Sequence, residues 1–204
     1  MPKVVAKPTV YSYFGQRVSS DTAGPFPELS SGFKYVVCFY DYFTKYVAIY
    51  FLRTHYGNEV LMALKSFVLD HKRYLDKTKV PGVIDQWHTD NGTEFVTTNI
   101  DEYCREVSTR HSMSPPYTPT RNASAERVWG IVLRPVANMI AHAGKDDTKL
   151  ALWPYAMLAS GCSYSQRSTY AWPLSALCSH RTGRWRKTRA GRAGRRVLLR
   201  GACV

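Results

Sequence analysis

The residues whose types and setting could do chemistry in this chain of 204 amino acids are three acids, Asp21, Asp90 and Glu126. Asp21 ends a short strand over Gln16 to Thr22, just before the breakers of DTAGPFPE. Asp90 lies in HTDNGTEF, directly after the β-branched run VPGVIDQWH, and Glu126 falls in the first turn of a long helix that follows the proline-rich PPYTPTRN. Carboxylates gathered without a cation repel one another, so three brought together are costly unless a cation fills the cluster. Hard oxygen donors select Mg²⁺ or Mn²⁺, which complete their shells with water and substrate phosphate. Two such ions on either side of a phosphodiester activate the attacking oxygen and stabilise the leaving one, whereas thiolate or imidazole ligands would favour zinc. Each acid alone has a simpler reading: an Asp-Asn-Gly stretch is a good turn, and Glu suits a helix N-terminus. Glu94, the second acid of HTDNGTEF, reads as a surface or loop-stabilising residue.

Bringing the three together falls to the elements around them. The runs FKYVVCFYDYF and KYVAIYFLR are aromatic and β-branched and separated by a few residues, which predicts a hairpin. Apolar residues at 60, 61, 64, 67, 68 and 75 predict a helix over 58–75, and VPGVIDQWH predicts a buried strand over 80–88. A helix over 98–107 opened by Thr98 or Asn99, a short strand in TRHSMS, a helix from Ala123 to about His142 and another from Thr148 to about Ser165 complete the pattern. The order β, β-hairpin, α, β, α, β, α, α is that of an α/β fold, a mixed sheet with flanking helices. Trp87, Trp129 and Trp153 are expected in its core.

Composition bounds the rest. A hydrophobic content of 45% with 13% aromatic residues is globular, and the length suits one domain with short appendages. No apolar run has signal-peptide or membrane-spanning character, which predicts an intracellular protein with no membrane partner. Five scattered cysteines with no Cys-x-x-Cys pair give neither a disulfide framework nor a zinc finger. The net charge of +13 is unevenly spread: residues 1–147 hold 17 basic and all 15 acidic residues, while 148–204 hold 11 basic residues and no acid. Nine of those eleven lie between Arg181 and Arg200, so the body is nearly neutral and the basicity belongs to the tail. Two readings of that Arg/Gly-rich segment stand side by side: a disordered basic arm for polyanions, or the product of a shifted reading frame.

Exactly 35 residues separate Asp90 from Glu126, and the local words SDTAGPF, GFKYVVCFYDYFTKY, HTDNGTEF, SPPYTPTRNASAERVWGIV and LWPYAMLASGCSYSQR occur in order between about residues 16 and 167. Spacing and words resemble the D,D-35-E integrases of retroviruses and retrotransposons, the copia type in particular. The resemblance implies a ribonuclease H-like catalytic core over 16–167, with a linker remnant over 1–15 and the basic tail over 168–204. It implies that Asp21, Asp90 and Glu126 are catalytic and hold Mg²⁺ or Mn²⁺. It also implies polynucleotidyl transfer, in which the 3′ ends of an element's DNA are processed and joined to target DNA, in the nucleus. Asp41, inside the hairpin word, is the nearest competitor for the first ligand and is read as structural.

The chain departs from the family in three places. Ala123 stands where the family has glycine after the asparagine, which predicts a stiffer entry to the catalytic helix. The family's His/Cys zinc module is not found in residues 1–15, and the pattern is lost after Gln166 and Arg167, so a decayed or truncated copy is expected. Asn91, Tyr117, Arg121, Asn122, Arg127 and Arg134 are candidate DNA contacts, each with an ordinary alternative in turn bonding, packing or solvated helix charge. His88 and His111 are near enough to the site to suggest proton transfer, although the structural role is the expected one. The partners expected are DNA, as element ends and target, with a homo-oligomer left open. Two rival functions remain: a ribonuclease H-like nuclease that cuts without joining, and a non-catalytic nucleic-acid-binding protein whose basic tail does the binding.

Overall fold

A computed structural model describes residues 9–27, 32–75, 84–114, 123–142 and 152–166. One unit runs Met1–Tyr170, and a second, Ala171–Val204, lies outside the described residues, as does the whole of the basic tail over 168–204. In chain order the first unit contains β1 (Arg17–Ala23), β2 (Tyr35–Asp41), β3 (Val47–Leu52), α1 (Gly57–Leu75), β4 (Gln86–Thr89), α2 (Thr98–Glu106), β5 (Arg110–Met113), α3 (Ala123–His142) and α4 (Trp153–Gln166). The five strands form one mixed sheet in the order β3-β2-β1-β4-β5. Neighbours β1, β2 and β3 run antiparallel, while β4 and β5 continue parallel to β1.

Helices cover both faces, and the central strand compositions reflect it. In β2, YVVCFYD is a continuous apolar run rather than an alternation because both of its faces are buried. Val36, Cys38 and Tyr40 pack with Val47 and Ile49 against Val128, Trp129, Val132 and Val136 of α3 and Trp153, Ala156 and Met157 of α4. Phe39, pointing the other way, stacks on Phe67 of α1 at 4.8 Å. The three tryptophans expected in the core are buried.

Several boundaries differ from those expected. Asp21 does not end its strand, because Thr22 and Ala23 continue the ladder opposite Val37 and Val36. β4 spans only Gln86–Thr89, while 84–85 form no strand, and 80–83 lie outside the described residues. Thr97 rather than Thr98 or Asn99 caps α2: its backbone is extended at φ −130° and ψ 147°, and its side chain accepts from the Ile100 amide. α4 starts at Trp153, and the start expected at Thr148 lies outside the described residues.

Asp41 is structural, as expected. It is fully buried on the α1 side of the sheet, opposite Val18. Its Oδ1 accepts from the Gly15 amide at 2.9 Å, and its Oδ2 accepts from the Thr44 amide at 2.6 Å and the Thr44 hydroxyl at 2.7 Å. Burial pushes its carboxyl above the ordinary range, while the donors of Thr44 and Gly15 pull it back. Because each oxygen faces a backbone N–H, either orientation of an asparagine amide would set NH₂ against a donor. Asp41→Asn is therefore expected to cost about 1–3 kcal/mol in urea unfolding, the price of a buried unmatched polar group.

Candidate active site

Asp21 is half-buried in β1 and pairs across the sheet with Cys38. Directly opposed residues of an antiparallel pair share a face, so Asp21 faces the α3 and α4 side with Cys38. The Cys38 thiol registers that neighbour: burial pushes it above its ordinary value, and the negative charge of Asp21 pushes it further. The Thr22 amide donates to Asp21 Oδ1 at 2.8 Å.

The parallel register of β1 and β4 pairs Arg17 with Gln86, Val18 with Trp87 and Ser19 with His88. The pairing ends there, and Asp21 and Asp90 each lie two residues further along, Asp21 within β1 and Asp90 just past the end of β4. Alternation along β4 assigns residue 90 to the face of His88, which is also the face of Asp21. Asp90 is half-buried, and its Oδ1 accepts from the Gly92 amide at 3.0 Å. Asp21 in β1 and Asp90 just past the end of β4 each have one oxygen oriented by a backbone N–H. Glu126 is the fourth residue of α3, one turn before the buried Trp129 on the helix that covers this face, and its side chain lies outside the described part of the structure. Among the described residues no group of three or more His, Cys, Asp or Glu forms a metal cluster.

The support around Asp90 comes from β5. Asn91 donates its amide to the Ser114 carbonyl at 2.6 Å, tying the turn to the end of that strand. His88 is buried with Nδ1 3.0 Å from the Ser112 hydroxyl and Nε2 3.1 Å from the Ser114 hydroxyl, the geometry of a brace between β4 and β5. His111 stacks on Trp87 at 4.5 Å. Since the Thr89 hydroxyl donates to the Asp90 carbonyl at 2.9 Å, its oxygen accepts from His111 Nε2 at 3.0 Å. Burial lowers the His111 pKa, against the partial opposition of Asp101. Of the candidate DNA contacts, Asn91 and Arg134 are exposed, Arg127 belongs to α3 with its side chain undescribed, and Tyr117, Arg121 and Asn122 lie outside the described residues.

Sequence reasoning placed Glu94 at the surface or in a loop-stabilising role, and only the second holds. Glu94 is 5% exposed, and its Oε1 accepts from the Thr22 hydroxyl at 2.7 Å and lies 2.9 Å from His55 Nε2. His55 attracted no notice in the sequence, since a lone histidine after a strand carries no local signal of a partner so distant in the chain.

The integrase core domain model matches residues 14–119, more than half of the chain. The chain belongs to the integrase core domain family. Asp21 and Asp90 fall within the matched residues of this integrase core, and Glu126 falls beyond them. The core is 30% identical over 124 residues to the retrovirus-related Pol polyprotein from transposon RE1 of Arabidopsis thaliana, and 29% identical over 124 residues to that from transposon TNT 1-94 of Nicotiana tabacum. Those matches cover 61% and 60% of this chain but 8% and 9% of the polyproteins, so the chain spans less than a tenth of these relatives. They agree with the retrotransposon character expected from its motifs. Among solved structures, a chain of the simian T-cell lymphotropic virus intasome in complex with PP2A regulatory subunit B56 gamma aligns at TM-score 0.55 and 17% identity, over 72% of this chain and 49% of that one. The HTLV-2 integrase catalytic core domain in complex with magnesium aligns at TM-score 0.53 and 14% identity, over 74% and 85%. At such identities the likeness is one of fold, and the fold is the ribonuclease H-like mixed sheet of integrase catalytic cores. Among the described residues, no helix of the integrase core is long and apolar enough to cross a membrane.

Proposed function

We propose that this chain is the catalytic core of a retrotransposon integrase that processes the 3′ ends of its element's DNA and joins them to target DNA, using Mg²⁺ or Mn²⁺. The observation that carries the reading is the parallel pairing of β1 with β4 up to Ser19 and His88, with Asp21 two residues beyond the one and Asp90 two residues beyond the other, inside the residues that match the integrase core. Their chemistry fits the cations: both are half-buried hard oxygen donors, and each has its Oδ1 oriented by a backbone amide. Glu126 is assigned the third carboxylate from the helix that closes over the same face. When bound, the ions supply activation of the attacking oxygen and stabilisation of the leaving one. Asn91, Tyr117, Arg121, Asn122, Arg127 and Arg134 are assigned to the DNA, the arginines to its phosphates. The solved relatives include an intasome and dimeric and trimeric core forms, which supports DNA and further copies of the chain as partners, and with them a nuclear site of action.

The test is a joining assay with end-labelled duplex DNA and an unlabelled target, with Mg²⁺ or Mn²⁺ supplied. Products longer than the labelled strand, lost on chelation, are the expected result. Shortened products alone point to a nuclease. Salt-sensitive binding without metal dependence, lost on deleting 168–204, points to a non-catalytic DNA-binding protein.

A further inference from the structure

Glu94 is a buried carboxylate outside the proposed ligand set, and such a group is retained only where its oxygens are matched by donors. Its partners come from two other parts of the fold: Thr22 from β1, and His55 from the segment between β3 and α1. His55 Nε2 lies 2.9 Å from Thr22 Oγ1 as well as 2.9 Å from Glu94 Oε1. A carboxylate can only accept, and the one hydroxyl proton of Thr22 goes to it, so Nε2 carries a proton toward both oxygens. The three side chains close a triangle in which every donor has an acceptor. The Tyr35 ring, 5.2 Å from the His55 ring, backs it from β2.

What the triangle joins gives it a role. Thr22 directly follows Asp21 and donates its amide to that carboxylate, while Glu94 lies within the turn that Phe95 closes onto Gly92, whose amide orients Asp90. The turn is fitted to the clamp: a Cβ on Gly92 would stand 2.5 Å from Glu94 Oε2 and 2.8 Å from Oε1, so position 92 admits only glycine while Glu94 holds its place. Thr22 points to the opposite sheet face from Asp21, which leaves the face of the two aspartates clear.

We infer that Glu94, through Thr22 and His55, is a positioning residue that fixes the separation of Asp21 and Asp90 from behind the sheet, without itself touching metal or DNA. The inference rests on the proposed function in taking those two aspartates as metal ligands. Groups that orient ligands from a second layer change metal affinity when removed, because the ligands lose a held geometry rather than a donor.

Mn²⁺ binding to the full chain, followed by the electron paramagnetic resonance signal of the free ion, tests it. Thr22→Val keeps the shape of the strand residue and removes only the hydroxyl, and should weaken Mn²⁺ binding by about tenfold or more, with Thr22→Ser restoring it to within about threefold. His55→Leu should weaken binding in the same direction, and because His55 is 41% exposed this variant carries the test if Thr22→Val fails to fold. Affinity unchanged in the folded variants, while Asp90→Asn abolishes binding, overturns the clamp and leaves the function standing. A loss that serine does not restore also overturns it, since strand packing would then be the cause. Binding that ignores Asp90→Asn overturns both.

Discussion

Asp90→Asn is expected to lower the proposed metal-dependent cleavage and joining of DNA ends steeply, while the protein keeps its fold. The asparagine is the same size, and its carbonyl oxygen still accepts from the Gly92 amide that orients the native side chain. The turn therefore persists, and a half-buried position at the end of β4 changes stability by only about 0.5 kcal/mol. What disappears is the anionic oxygen donor that the proposed function assigns to Asp90, just past the end of β4. Activation of a phosphodiester by a metal contributes several kcal/mol to the transition state, and each 1.36 kcal/mol is a factor of ten, so the rate should fall by about 10²–10⁴. Rates of strand joining in Mn²⁺, measured beside thermal unfolding of the same samples, check both halves of the expectation. Metal-dependent joining that survives the substitution would falsify the assignment of Asp90.

The parts of this fold that were legible before any coordinates are those whose signals are local. The hairpin β2–β3 follows from unbroken aromatic and β-branched runs, and α1 from apolar spacing around Val60, Leu64 and Phe67, all buried in the structure. Asp41 could be set aside from the word it sits in, and its three donors at Gly15 and Thr44 bear that out. The end of β1 was misjudged because the breakers Gly24 and Pro25 mark where the chain turns, whereas the ladder with β2 decides where pairing stops, at Ala23. The Thr97 cap was missed by one residue because Thr97, Thr98 and Asn99 are all good caps, and only the extended backbone at Thr97 selects among them.

The site divides along the same line. Spacing and family words put Asp21 and Asp90 in one site, while the parallel pairing of β1 with β4, a contact between segments dozens of residues apart, has no local signal in the sequence. The Glu94 partnership was not legible, because Thr22 is 72 residues away and a buried acid next to Phe95 looks in sequence like any turn acid. The local trace of it in HTDNGTEF is Gly92, whose missing Cβ leaves room for the Glu94 carboxylate packed against it.

The counterpart to Asp90→Asn lies three residues earlier, where Trp87→Ala should cost stability rather than chemistry. Trp87 is fully buried in β4, meets the Phe95 ring edge-on at 5.9 Å and the His111 ring face-on at 4.5 Å, and donates its indole N–H to the Ser20 hydroxyl at 2.7 Å. Alanine removes both ring contacts and leaves a cavity between β1 and β5, for a loss of about 3–5 kcal/mol. Against a typical total of about 5–15 kcal/mol this is a large fraction, and for a chain of this size it lowers the melting temperature by about 6–20 °C. Trp87→Phe keeps a ring between Phe95 and His111 and loses mainly the bond to Ser20, so about 1 kcal/mol is expected. Because Trp87 faces away from the two aspartates, Trp87→Phe should bind Mn²⁺ as tightly as the native chain when assayed well below its melting point. A melting temperature lowered by less than about 3 °C in Trp87→Ala would show that the cavity closes and that β4 is held by its ladders rather than by this side chain. The two substitutions together separate what Asp90 does from what holds it in place: one removes the donor and spares the fold, and the other weakens the fold beneath an intact donor.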